Sequence, residues 1–177
     1  PTLRHVTIYG GFSHASGGTG ARSIAVFIGG QASKSQGALI TGGSAIYGGK
    51  SGVFTAGLFV QRSDLTLDQA TDVLIEDTAI RGGGGNGSTI AAVLAGVGGP
   101  TRFQRVVFEP TPSGGGALES WAVRSLGGVA FIDASLIGRE ATALSNGTFC
   151  GNSTFCGGLD FLGGKLQITN SGVRGVP

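Results

Sequence analysis

One stretch of the chain, Asp72 to Gly82, constrains the fold most strongly, because its pattern recurs along the whole sequence. It reads as a short strand, a bend at Asp77 and a second short strand closed by glycine, with side chains alternating between two faces. Five other stretches overlay on it without gaps: Pro1 to Gly10, Leu39 to Gly48, Thr101 to Pro110, Val129 to Gly138 and Leu166 to Gly175. A strand pattern that recurs at intervals of about 30 residues predicts a stack of similar coils.

Equivalent positions in these six stretches, called here the repeat units, hold similar residues. One column is apolar throughout and comprises Ile8, Ile46, Ile80, Phe108, Leu136 and Val173. A second is apolar in all but one member and comprises Leu3, Thr41, Ile75, Phe103, Phe131 and Ile168. A third holds small residues: Val6, Ser44, Thr78, Val106, Ala134 and Ser171. Each unit is too small to bury its own apolar face, so we expect the first column to form a vertical file inside the stack.

With these units the chain resembles the right-handed parallel β-helix family, the pectin-lyase-like fold, over essentially its whole length. The resemblance concerns the architecture and implies an all-β, right-handed parallel β-helix of about six coils with little or no helix. It also implies a single domain spanning residues 1–177. Both ends fall close to the edges of a unit and show no obvious cap, so we expect a fragment of a longer chain.

Composition limits the classes of function. Glycine accounts for 36 residues and proline for only 5, so the glycines mark turns between short strands. Apolar residues make up 40% of the chain, which is enough to fill a core. Charged residues make up 12% with a net charge of +2, and the basic residues are scattered, which argues against a nucleic-acid partner. No apolar run is long enough to predict a transmembrane helix.

The two cysteines lie close together in a loop rich in glycine, asparagine and serine. Cys150 and Cys156 have no histidine nearby, so a zinc site is not expected. We predict a small disulfide loop, with two free thiols as the alternative. A disulfide would indicate an oxidising compartment, and hence a secreted or cell-surface protein.

Many members of the family that this chain resembles are polysaccharide lyases or hydrolases, whose sites need clustered carboxylates, often with calcium. The sequence has no Asn-Thr-Asp, Asp-Asp or Gly-His-Gly motif and no convincing Ser/His/Asp triad, so we predict no catalytic residues. Asp72, Glu76 and Asp77 form a candidate calcium site. The alternative is that these acids mark turns and a solvated face, and no other cofactor is predicted.

A further column precedes the closing glycine and should project outward: Tyr9, Tyr47, Arg81, Glu109, Ile137 and Arg174. Its first three members, Tyr9, Tyr47 and Arg81, are predicted to form a ligand-binding platform for a sugar ring. The alternative is ordinary packing along a β surface. Ile40, Leu74 and Ile132 are also predicted to point outward, as an apolar patch that mediates homo-oligomerisation.

These observations favour a non-catalytic, secreted or surface β-helix that acts as an adhesin-like or fibre-like module and binds a cell-surface glycan or protein. The competing hypothesis is a carbohydrate-active enzyme, either a polysaccharide lyase or a glycoside hydrolase, or a phage tailspike segment. Under that hypothesis the missing catalytic residues would lie outside this fragment or in a trimer interface. Bound metal or a groove lined by carboxylates would favour the enzyme.

Overall fold

The computed structural model describes residues 1–13, 22–30, 38–62, 73–96, 100–110, 118–138 and 155–174. All regular elements in these ranges are strands. The first nine are β1 (Thr2–Arg4), β2 (Thr7–Tyr9), β3 (Phe12–Ser13), β4 (Arg22–Gly30), β5 (Leu39–Thr41), β6 (Ser44–Tyr47), β7 (Lys50–Ser51), β8 (Phe54–Arg62) and β9 (Val73–Glu76). The others are β10 (Thr78–Arg81), β11 (Gly84–Gly85), β12 (Ser88–Gly96), β13 (Thr101–Gln104), β14 (Val107–Glu109), β15 (Glu119–Asp133), β16 (Leu136–Ile137), β17 (Phe155–Thr169) and β18 (Gly172–Val173).

The strands stack in parallel, so the predicted all-β fold of stacked coils, a β-solenoid, is confirmed. A six-stranded sheet runs in the order β18-β16-β14-β10-β6-β2 and takes one strand from each repeat unit. In the nine-stranded sheet, β15 joins two stacks: residues 119–125 pair with β12, and residues 130–133 pair with β13. A sheet of three very short strands completes the described walls. None of the described segments is a helix that could cross a membrane.

Register in the six-stranded sheet creates the predicted interior file, with one correction. The file comprises Ile8, Ile46, Ile80, Phe108, Ile137 and Val173, of which Val173, on the edge strand β18, is exposed. Ile46, Ile80 and Phe108 are fully buried, as the column pattern predicts. In the fifth unit the prediction of Leu136 is wrong, because Ile137 pairs with Phe108 and is fully buried.

The same one-residue shift moves the first strand of the fifth unit. Ile132, and not Phe131, pairs with Phe103 in the interior, while Phe131 lies beneath the Arg102 guanidinium at 4.7 Å. This unit has adjacent apolar residues in both strands, so alternation alone fits either register. In the observed register Ser135, and not Ala134, lies where its hydroxyl accepts a hydrogen bond from the Val106 N–H.

The second unit departs from the gapless overlay for a different reason. Its turn is one residue longer than that of the third unit, because Gly42 and Gly43 both adopt positive φ, 74° and 73°. Ile40 therefore takes the interior position predicted for Thr41 and pairs with Ile75. Ile40 and Ile132 are buried in the core, so the predicted outward apolar patch for oligomerisation is wrong. Only Leu74 of that set lies on the outer row, and it is half-buried.

In each unit a left-handed residue lies in the turn between the two strands, and in four of the six units a hydroxyl residue follows it. Five of these left-handed residues are not glycine: His5, Asp77, Arg105, Ala134 and Asn170, with φ between 47° and 55°. The predicted bend at Asp77 is therefore confirmed. The residues that follow include four hydroxyl side chains, called here the hydroxyl ladder: Ser44, Thr78, Ser135 and Ser171.

Members of the hydroxyl ladder connect neighbouring coils. Ser135 Oγ donates to the Asp133 carbonyl at 2.7 Å and accepts the buried Val106 N–H at 3.0 Å. In the same way, Ser171 Oγ accepts the Ser135 N–H at 3.0 Å. The backbone N–H groups of Val106 and Ser135, in the turns of their units, therefore remain hydrogen-bonded.

Replacing Ser135 with alanine should destabilise the fold by about 1–3 kcal/mol, because the buried Val106 N–H then has no acceptor. Urea denaturation measures the change in the free energy of unfolding. Ser171→Ala is the matched control, since its hydrogen bond is only partly buried and water can replace it. Equal losses in the two variants would contradict this role for Ser135.

Candidate functional site

Four side chains form a continuous row on the outer surface of the six-stranded sheet, called here the aromatic ladder: Tyr9, Tyr47, Arg81 and Glu109. They occupy the last positions of β2, β6, β10 and β14 and pair directly in the parallel register. The sequence therefore places the predicted residues Tyr9, Tyr47 and Arg81 together. The predicted row fails at its fifth position, because Ile137 points inward and Gly138 continues the row.

Contacts along the aromatic ladder follow from the spacing of the strands. The Tyr9 and Tyr47 rings stack with centroids 4.9 Å apart and planes inclined by 11°. This separation is close to the distance between neighbouring strands, about 4.8 Å, so register alone brings the rings face to face. The Arg81 Cζ lies 5.4 Å from the centre of the Tyr47 ring, and Arg81 Nε forms an ion pair with Glu109 Oε2.

The open end of the aromatic ladder is Tyr9. Tyr47 is covered on one side by Tyr9 and on the other by Arg81, whereas β2 is the edge strand of the described sheet. Tyr9 is 72% exposed. Arg81 and Glu109 add hydrogen-bonding groups farther along the same row.

The closing glycines beside this row are required by close backbone packing. A Cβ atom at Gly48 would lie 2.4 Å from the Gly83 backbone nitrogen. A side chain at Gly48 would therefore clash with the backbone of the next coil.

Of the residues predicted to bind calcium, the structure describes Glu76 and Asp77. Asp72 lies outside the described residues, so the full set stays a prediction. Arg105 donates two hydrogen bonds to Asp77, at 2.6 and 2.9 Å, and also lies 3.6 Å from Glu76 Oε2. Glu76 Oε1 accepts a hydrogen bond from Thr41 at 2.9 Å. A cation at Glu76 and Asp77 would have to compete with this guanidinium.

Electrostatics agree with that geometry. The hydrogen bonds from Arg105 hold the pKa of Asp77 below its ordinary value, and the pKa of Arg105 is raised in return. Within the described ranges, no group of three or more His, Cys, Asp or Glu residues converges on a point.

The predicted disulfide falls at the edge of the described chain. Cys156 is half-buried near the start of β17 and is not a free thiol. Cys150 lies outside the described residues.

The sequence pattern did not predict an open cleft on the nine-stranded sheet. The cleft lies on the outer face of the strands β4, β8, β12 and β15 and has a volume of about 390 Å³. Its apolar lining comprises Val53, Phe54, Phe59, Val93 and Leu126. Its polar lining comprises Arg22, Ser88 and Arg124. We call this feature the outer cleft. Period-2 patterns did not reveal it, because the long strands of this wall carry apolar residues on both faces.

Arg124 is held in the outer cleft by two carboxylates. Its Nη1 lies 2.8 Å from Glu119 Oε2, and its Nε donates to Asp160 Oδ2 at 2.6 Å. Ser88 Oγ donates to the same Glu119 oxygen at 2.9 Å. The hydrogen bond from Arg124, aided by Ser88, lowers the pKa of Glu119. Burial alone would lower the pKa of Arg124, but its hydrogen bonds to Glu119 and Asp160 outweigh burial and raise it.

The lowered pKa of Glu119 predicts a loss of stability in acid. A carboxyl whose pKa is lower in the folded state stabilises the fold above its ordinary pKa, 4.5, and loses that contribution as pH falls through the folded pKa. The free energy of unfolding should therefore fall less steeply in Glu119→Gln than in the wild type between about pH 6 and about pH 3. Denaturant titrations at several pH values measure both slopes, and identical slopes would contradict the prediction.

Comparisons with known proteins supply no relative from which a function could be transferred. No family model, no curated protein and no solved structure matches this chain.

Proposed function

We propose that this protein is a non-catalytic β-solenoid of a secreted or cell-surface protein, which acts as a rigid adhesin-like or fibre-like module and recognises carbohydrate through the aromatic ladder. The observation that carries the proposal is the exposed, stacked row of Tyr9, Tyr47 and Arg81. Within this proposal the solenoid has the right-handed, pectin-lyase-like form that the sequence resembles.

Rigidity follows from how each coil is held. The described strands pair with the coils on either side, and the interior files pack the side chains of one coil directly on those of the next. Such a rod holds its surface residues in fixed positions, so the aromatic ladder loses little conformational freedom when it binds.

Sugar recognition by the aromatic ladder would use two kinds of contact. The open face of Tyr9 suits the apolar face of a pyranose ring, which stacks on an aromatic surface. Arg81 and Glu109 lie beyond Tyr47 in the same row and would hydrogen-bond hydroxyl groups of a sugar unit farther along the glycan. This mode needs no cofactor, and its natural partner would be a glycan of a cell surface.

Three of the described carboxylates have a charge state that does not suit a general acid. Glycoside hydrolysis needs a carboxylic acid that keeps its proton near neutral pH, and hence a raised pKa. Hydrogen bonds lower the pKa of Asp77, Glu119 and Asp133 instead. These three groups therefore favour the ionised form and do not suit general acid catalysis.

The proposed extracellular location predicts a disulfide between Cys150 and Cys156 in the natively folded protein. Chymotrypsin can cleave after Phe155, between the two cysteines, so peptide mapping under non-reducing conditions should recover two disulfide-linked peptides that separate on reduction. Alkylation of both cysteines without prior reduction would contradict the disulfide and weaken the argument for an oxidising compartment.

Loss of the aromatic ladder should weaken glycan binding. A glycan array identifies the ligand, and biolayer interferometry then compares variants. Tyr9→Ala should weaken binding roughly tenfold, in line with the loss of one stacking face. Thr7→Ala is the control, because Thr7 lies on the same strand and is also exposed, two residues before Tyr9.

A reducing-sugar assay on the same glycans separates binding from catalysis. Release of reducing ends by the wild type would overturn the proposal in favour of the enzyme. Unchanged affinity in Tyr9→Ala would show that the glycan binds elsewhere on the solenoid.

A further inference from the structure

We propose that the outer cleft is a second binding site, and that it takes a small organic anion with an apolar body, such as an aliphatic or aromatic carboxylate. The site lies on a different wall from the aromatic ladder and does not depend on the proposed glycan binding.

The apolar part of the outer cleft is built from aromatic side chains backed by buried residues. Phe54 and Phe59 meet edge to face with centroids 6.2 Å apart, and Phe27 stacks on Phe59 at 5.7 Å. Ala56, Ile90 and Val93 are buried, and Phe54 and Phe59 pack against them. The rings therefore cannot sink further into the wall, and they present a firm apolar surface to a ligand.

Charge in the outer cleft is not balanced evenly. Arg124 is paired with both Glu119 and Asp160, so its charge is already satisfied. Arg22 also lines the cleft, but it is exposed and has no ion-pair partner among the described residues. An incoming carboxylate thus finds one available guanidinium next to phenylalanine rings, and Glu119 and Asp160 do not compete for it.

Size and polarity favour a small ligand over a polymer. A volume of about 390 Å³ lies near the lower end of the range for small-molecule sites. Five of the eight lining residues are apolar, and the three polar ones do not form the extended hydrogen-bonding surface that a chain of sugars needs. An apolar ring or short aliphatic body with one anionic group matches both the walls and Arg22.

The natural reporter of occupancy is Trp121. It is the only tryptophan in the chain, and it packs against the buried residues Ala56, Ile90 and Val93. Cyclohexylacetate and its uncharged counterpart cyclohexylethanol do not absorb where tryptophan is excited. Titration of each ligand therefore gives a binding curve from Trp121 fluorescence, and saturation-transfer NMR detects binding that leaves fluorescence unchanged.

The wild type should bind cyclohexylacetate roughly tenfold more tightly than cyclohexylethanol, as expected for one charge-assisted contact. Arg22→Gln should remove this preference and leave binding of the alcohol unchanged. Leu126→Asp, at a cleft residue that is 48% exposed, should weaken binding of the anion about fivefold or more. Leu118→Asp is the matched control, because Leu118 is 62% exposed and does not line the cleft.

Three results would overturn the proposal: no saturable binding by either method, equal affinity for the acid and the alcohol, or equal effects of Leu126→Asp and Leu118→Asp. Tyr9→Ala should bind cyclohexylacetate as the wild type does. This comparison separates failure of the outer cleft from failure of the aromatic ladder.

Discussion

The parallel hydrogen bonding of each coil to the next is the constraint on which the rest of the structure depends. Because strands stack at a fixed spacing of about 4.8 Å, every residue is placed directly above its equivalent in the neighbouring coil. Like residues therefore collect in files, with isoleucine and phenylalanine inside and hydroxyls at the corners. The same register makes the outer surface a set of rows, of which the aromatic ladder is one.

Two surfaces arise from this geometry by different routes. The aromatic ladder is a single row, in which strand spacing alone stacks Tyr9 on Tyr47. The outer cleft is instead formed by side chains from several rows. Phe54 and Phe59 lie at different positions along β8 and line the cleft together with Arg124 from β15. A rigid solenoid offers both as preformed surfaces, which suits a display and binding role. Away from the aromatic ladder, Asp77 and Glu119 have lowered pKa values because each accepts a hydrogen bond from an arginine.

Departures from the predicted register occur where the sequence pattern is ambiguous. In the fifth unit, Phe131 and Ile132 are both apolar, as are Leu136 and Ile137, so alternation permits either face. The hydrogen bond that Ser135 Oγ accepts from the Val106 N–H favours one register. A column of apolar residues does not predict this hydrogen bond. In the second unit, an extra glycine in the turn moves Ile40 inward, and a gapless overlay cannot detect an insertion.

The repeat units predict the all-β stack, the interior positions of Ile46, Ile80 and Phe108, and the row that contains Tyr9, Tyr47 and Arg81. They do so because a repeat needs the same residue types at the same places, and parallel stacking turns sequence columns into spatial ones. Three features are visible only in the tertiary structure: the burial of Ile40 and Ile132, the pairing of Arg105 with Asp77, and the outer cleft. These features depend on turn length and on contacts between rows, which the period of the repeat does not specify.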